Sequence, residues 1–190
     1  MVRGLLPRQA LLARAATLVA AMILVVPGPR RPARADAPDL AEFAGAYELR
    51  APRGRAQKVI EHAIERVTAE MGLMRSTLAQ ERLQQDMSHS RKIRIRVDGQ
   101  QVVVEMDGTR VEATVGEDHG STVKLPNGKW ARPVHRFENG QLVQELLTRR
   151  GTRRNTFALA HGGRELRLDV EISSPRLPSD VEYALRYRRL

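Results

Sequence analysis

The feature that most constrains this chain is its turn chemistry. Beyond Arg91 the apolar runs are short, and Asp98-Gly99, Asp107-Gly108, Pro126-Asn127-Gly128, Asn139-Gly140 and Gly162-Gly163 separate them. Asp-Gly and Asn-Gly pairs adopt the positive φ angles that tight hairpin turns require. Turns this short cannot carry a crossover, so successive strands must run antiparallel. Strands are predicted over 93–97, 101–106, 109–115, 121–125, 129–137, 141–149, 152–160, 165–172 and 181–189, with looser connections at 116–120 and at Ser173-Ser174-Pro175.

The stretch 43–50 adds a strand ahead of these, since Phe43, Gly45, Tyr47 and Leu49 alternate with Ala44, Ala46, Glu48 and Arg50. Between it and the hairpins the period changes. Val59, Ile60, Ala63, Ile64, Val67 and Met71 recur at spacings of three and four, which is one apolar helical stripe. Gly72 interrupts that stripe before Leu73, Met74, Leu78 and Leu83 resume it. Because a mid-helix glycine costs about 1 kcal/mol relative to alanine, the segment 55–86 is predicted as two helices, or one bent helix, jointed at Gly72.

Ten antiparallel strands must close, split into layers or curl around something. The last two strands support a one-sided core. Val181, Tyr183, Leu185 and Tyr187 share one face, as do Leu166, Leu168, Val170 and Ile172. The expected fold is mainly β, an up-and-down antiparallel barrel with a helical insertion after its first strand.

The chain opens differently. Arg3, Arg8 and Arg14 precede an apolar run at 15–26, and Pro27-Gly28 then leads to Ala33-Arg34-Ala35, the order of a secretory signal. A run of that length is well short of the roughly 20 apolar residues a membrane-spanning helix needs. The expectation is a signal peptide over 1–35, a tether over 36–42, a barrel domain over 43–190, and export to the periplasm, the cell envelope or the extracellular space. The formal net charge is +10, from 32 Lys and Arg against 22 Asp and Glu, but residues 1–35 hold six arginines and no acid. In the body acids and bases alternate, which argues against nucleic acid as a partner.

The order of strand, helical insertion and up-and-down meander resembles the calycin architecture, most nearly its intracellular lipid-binding branch. The opening Phe43-Ala-Gly-Ala-Tyr-Glu-Leu49 is similar to the lipocalin start, with Tyr47 where that pattern has Trp. Gly140-Gln-Leu-Val-Gln144, Arg154-Asn-Thr-Phe157, Ser174-Pro-Arg-Leu-Pro178 and the tail from Tyr183 to Arg188 resemble a group of exported bacterial proteins without an assigned activity. That resemblance implies a fold and an address, and no reaction.

Chemistry is limited by what is missing. Without cysteine there is no disulfide, thiolate nucleophile or cysteine metal site. His62, His89, His119, His135 and His161 are dispersed, where a metal needs converging ligands. Asp118-His119-Gly120-Ser121 reads as a polar turn, and Ser121-Thr-Val-Lys124 lies in a strand where the serine and lysine face opposite sides. No catalytic residue, metal or cofactor is assigned. The expected role is a non-catalytic binding module for a lipid or small apolar ligand, with Tyr47, Trp130, Phe157, Tyr183 and Tyr187 as candidate ligand contacts. The alternative is an envelope structural or interaction domain without a small ligand. Arg149, Arg150, Arg153 and Arg154, crowded around Gly151, form a candidate contact for an anionic envelope surface.

Overall fold

The computed structural model describes residues 39–190 apart from 88, 107, 119 and 120. The proposed signal peptide and its cleavage point at Asp36 lie outside the described residues. The first described element is a 3-10 turn, Leu40–Phe43, where a tether and the start of a strand were expected. Asp39 caps this turn with its carboxylate, and Glu42 reaches back to the Asp39 backbone, a reciprocal capping box. The turn buries Leu40 and Phe43.

Strand β1 (Gly45–Leu49) follows, then helices α1 (Arg53–Thr68) and α2 (Leu73–Asp86) on either side of Gly72. Nine strands complete the chain: β2 (Lys92–Asp98), β3 (Gln101–Met106), β4 (Thr109–Thr114), β5 (Val123–Lys124), β6 (Trp130–Glu138), β7 (Gln141–Thr148), β8 (Gly151–Ala160), β9 (Glu165–Ser173) and β10 (Val181–Arg189). All ladders between them are antiparallel, in the order β4-β3-β2-β1-β10-β9-β8-β7-β6-β5. The two ends of this sheet approach each other. Val115 and His135 form a single bridge, and the Gly116 amide donates to the His135 carbonyl at 2.9 Å. The barrel is nearly closed, with a seam between β4 and β6.

The seam explains Pro133 in mid-strand. Only Lys124 and Val123 pair with β6 on that side, opposite Trp130 and Ala131, so the missing proline N–H faces no ladder partner. The expected fifth strand shrinks to two residues, because only Val123 and Lys124 pair with β6.

The interior holds a main cluster and a smaller one of Val111, Ala131 and Leu146 near the seam. Ile95, Val104, Leu168 and Leu185, from four strands, are all buried in the main cluster. Helix α1 adds Ala56, Ile60, Ala63, Ile64 and Val67; of the expected stripe Val59 is instead exposed and Met71 is half-buried. Two tyrosines help pack the end that carries the 3-10 turn. The Tyr47 hydroxyl donates to the Phe43 carbonyl at 2.9 Å, and the Tyr187 hydroxyl to the Ser90 carbonyl at 3.0 Å. Over Tyr47 lies the Arg189 guanidinium, 5.5 Å from the ring centroid. It donates to the carbonyls of Glu42 (2.8 Å), Ala44 and Gly163 (3.3 Å). Arg189 thus ties the last strand to the first turn and seals this end.

Candidate functional site

The opposite end is open. There Met106 and Thr109 at the ends of β3 and β4, the loop before β6, the turn between β7 and β8 and the loop after β9 surround a cavity of about 780 Å³, roofed by α2. Its walls are largely apolar: Val104, Met106, Val111, Leu146 and Ile172 from the strands, and Leu83 from the roof. The roof residues Arg75, Leu78, Ala79, Arg82 and Leu83 lie at i, i+3, i+4, i+7 and i+8, the stripe that one helix face presents. Gln80 fastens α2 to α1 by donating to the Thr68 hydroxyl at 2.9 Å. Across the rim, the Ser174 hydroxyl donates to the Arg150 carbonyl at 2.8 Å, joining two of the mouth loops.

Polar groups enter the barrel along one track. Arg153 Nε donates to Asn155 Oδ1 at 3.0 Å, and Asn155 Nδ2 donates to Gln144 Oε1 at 2.8 Å. Gln144 Nε2 then donates to His135 Nε2 at 3.0 Å, which puts the imidazole proton on Nδ1. Strand register produces this track, because Gln144 sits opposite both His135 on β6 and Asn155 on β8. All three are fully buried. Burial pushes the His135 pKa down to about 4, against the opposing pull of the Ala113 and Val102 carbonyls. The ring is therefore neutral near neutral pH. Burial also raises the Tyr183 pKa, an effect that the Arg153 charge opposes. Among the described residues the Tyr183 hydroxyl and His135 Nδ1 have no hydrogen-bond partner.

The cavity has a marked charge sign. Arg75, Arg82, Lys129, Arg150, Arg153 and Arg176 all line it, and its described lining contains no Asp or Glu.

None of the five expected ligand contacts is among the lining residues. Tyr47, Phe157 and Tyr187 are fully buried in the packed floor. Tyr183 is buried in the wall close enough to Arg153 to feel its charge. Trp130 is 61% exposed and belongs to the outer face of β6. The arginine group divides as well. Arg149 and Arg150 are exposed at the turn, Arg153 points inward, and Arg154 lies outside, bonded to Glu145 at 3.2 Å and paired with Glu138 at 3.6 Å. Alternation could have revealed this split, since Arg153 shares its strand face with Asn155 and Phe157. The α2 stripe was equally readable, but an arginine on a helix face reads as solvated until the strand loops are known to lie opposite it.

Comparison with solved structures places this architecture. Lipid binding protein 8 of Caenorhabditis elegans in its apo form superposes with a TM-score of 0.50 at 13% identity, covering 80% of this chain and 99% of that one. The fold is calycin-like. The fluorescent protein UnaG gives a TM-score of 0.51 at 13% identity, covering 78% of this chain and 98% of that one. The likeness is one of fold. No protein-family model and no curated protein matches the sequence.

Proposed function

We propose that this chain is an exported, non-catalytic binding protein that holds an apolar or amphipathic small molecule beneath α2. The observation that carries this reading is the cavity itself, about 780 Å³ with apolar walls and convergent polar groups, in the range of small-molecule sites. Lipid binding protein 8 shares the fold and is named for lipid binding. In this chain the polar track from Arg153 to His135 supplies orientation and no nucleophile, and the neutral, enclosed His135 is a poor general base for anything outside the core. Gentle extraction of the purified protein followed by mass spectrometry is expected to yield a co-purifying amphiphile, displaced by a neutral apolar dye such as N-phenyl-1-naphthylamine. A protein that carries nothing and binds no apolar dye would reject the reading. Export rests on the basic, apolar and small-residue order of residues 1–35. The exported form is expected to begin at Asp36, and an intact mass that retains Met1 would reject cleavage.

A second reading, an envelope contact surface, draws on the exposure of Leu73 (86%) and Met74 (81%) at the start of α2 and of Arg149 and Arg150 at the rim. Binding to anionic vesicles that survives replacement of Arg149 and Arg150 by glutamine would remove the arginine part of it.

A further inference from the structure

Most arginines on the strands of this barrel meet a carboxylate. On the outer wall Arg94 and Arg96 share Glu105, Arg110 meets Glu112, Arg136 meets Glu145, Arg167 meets Asp169 and Arg188 meets Glu48. Off the strands such a partner is often absent, as at Arg53, Arg55, Arg66 and Arg149 among the described residues, and the arginines at the mouth differ from these in converging on one space. Among the described residues Arg75, Arg82, Arg150 and Arg176 have no carboxylate within salt-bridge reach, although all four border one cavity. Arg153 is held inward beside them by Asn155. Arg75, Arg82, Arg150 and Arg176 are exposed and Arg153 is half-buried, so water screens their mutual repulsion in part while leaving their donors open to a ligand. A single carboxylate would neutralise only one of them.

We propose that the cavity takes an amphiphile whose head carries two or more negative charges, seated at the mouth among Arg75, Arg82, Arg150, Arg153 and Arg176, with its apolar body against Val104, Val111 and Leu146. This rests on the cavity being the binding site and specifies what occupies it. Guanidinium groups present paired N–H donors that match the oxygens of a phosphate, which makes a phosphate monoester the best-fitting head. The head lies outward because the other end is spent. The Tyr47 and Tyr187 hydroxyls already donate to the Phe43 and Ser90 carbonyls, and Phe43, Phe157, Ile93 and Leu166 fill the space between. The Arg153–Asn155–Gln144–His135 track acts as the support. Asn155 accepts from Arg153 Nε and keeps the guanidinium from swinging out to solvent, leaving its terminal nitrogens for the ligand.

The test uses the purified full chain loaded with N-phenyl-1-naphthylamine and displaced, below their aggregation limits, by dodecyl phosphate, dodecanoate and dodecanol, with inorganic phosphate as a fourth arm. Dodecyl phosphate is expected to displace the dye at about one tenth the concentration dodecanoate needs, the worth of one additional charge-assisted contact. Dodecanol should be weaker still, inorganic phosphate should displace nothing over the same range, and added salt should shrink the differences. Replacing Arg150 and Arg176 together by glutamine should cut the dodecyl phosphate to dodecanol ratio about tenfold by the same reasoning. Arg110→Gln on the outer wall should leave it unchanged. Equal displacement by dodecyl phosphate and dodecanoate, or by dodecyl phosphate and dodecanol, overturns the proposal while the cavity reading stands. Displacement by inorganic phosphate as strong as by dodecyl phosphate overturns it in favour of a plain anion site. Failure of the dye to bind rejects the cavity reading and this proposal with it.

Discussion

Gly45 is required by its neighbour rather than by its own backbone angles. A Cβ built there would lie 2.9 Å from Arg189 Nε and 3.2 Å from one of its terminal nitrogens. Arg189 can cover Tyr47 and reach three carbonyls only because residue 45 has no side chain. Gly45→Ala is expected to cost about 1–3 kcal/mol, the usual range for overpacking a tight site. Arg189→Ala should cost a similar amount by removing the bonds, and the double variant should lose much less than the sum, because both changes break the same contact. Chemical denaturation of the three variants reads this directly, and full additivity would disprove the coupling. At His135 the sign follows from burial. Its folded pKa of about 4 lies below the ordinary value of 6.5, so the unfolded chain binds more protons between those limits. This contribution is complete above pH 6.5 and is lost as pH falls toward 4. It amounts to no more than about 3 kcal/mol at 1.36 kcal/mol per unit. The melting temperature of the wild type should fall across this window more steeply than that of His135→Gln, and equal slopes would contradict the buried, neutral state. The period-two pattern implies that Arg153 faces inward. It does not show which residue it meets there, because cross-strand partners depend on register.

The two helices look alike in sequence and do different work. Both follow a three-and-four spacing, yet α1 buries six residues into the core while α2 buries Leu83 and leaves Leu73, Met74 and Leu78 exposed. The difference is positional. α1 packs on β10 and the barrel interior, whereas α2 packs on α1 and bridges an open mouth. Ile60→Ala should therefore cost about 2–5 kcal/mol, as a buried truncation does. Leu73→Ala should stay within about 0.5 kcal/mol, as exposed changes usually do. If Leu73→Ala proved as costly as Ile60→Ala, α2 would have to be packed against something it does not touch here. The joint at Gly72 and the hairpins were legible because they depend on local backbone chemistry. At Asn139-Gly140, for example, φ is 52° and 73°, as a tight hairpin turn demands. Strand β5 was not legible at its true length, since a strand persists only where a neighbour pairs with it, and that neighbour is remote in sequence.

At the scale of the barrel as a whole, residues 39–190 have two unlike ends, one packed with aromatic side chains under Arg189, the other open, cationic and roofed by α2. A ligand that binds only the folded barrel must stabilise it. At a hundredfold excess over Kd the gain is about 2.7 kcal/mol. Saturating amounts of a bound amphiphile should therefore raise the melting temperature by several degrees, and an unchanged transition in the presence of dye that is demonstrably bound would mean that the dye sits on unfolded or peripheral chain. Taken alone, the order of residues determined the ten antiparallel strands, the helical insertion and the inward face of the last two strands, because turn chemistry and side-chain alternation act within a few residues. Which aromatic side chains fill the floor, which arginines find carboxylates and which gather unpaired around a cavity were decided only when the sheet curled. Those outcomes depend on distances between residues a hundred positions apart, and closure of the barrel is what sets them.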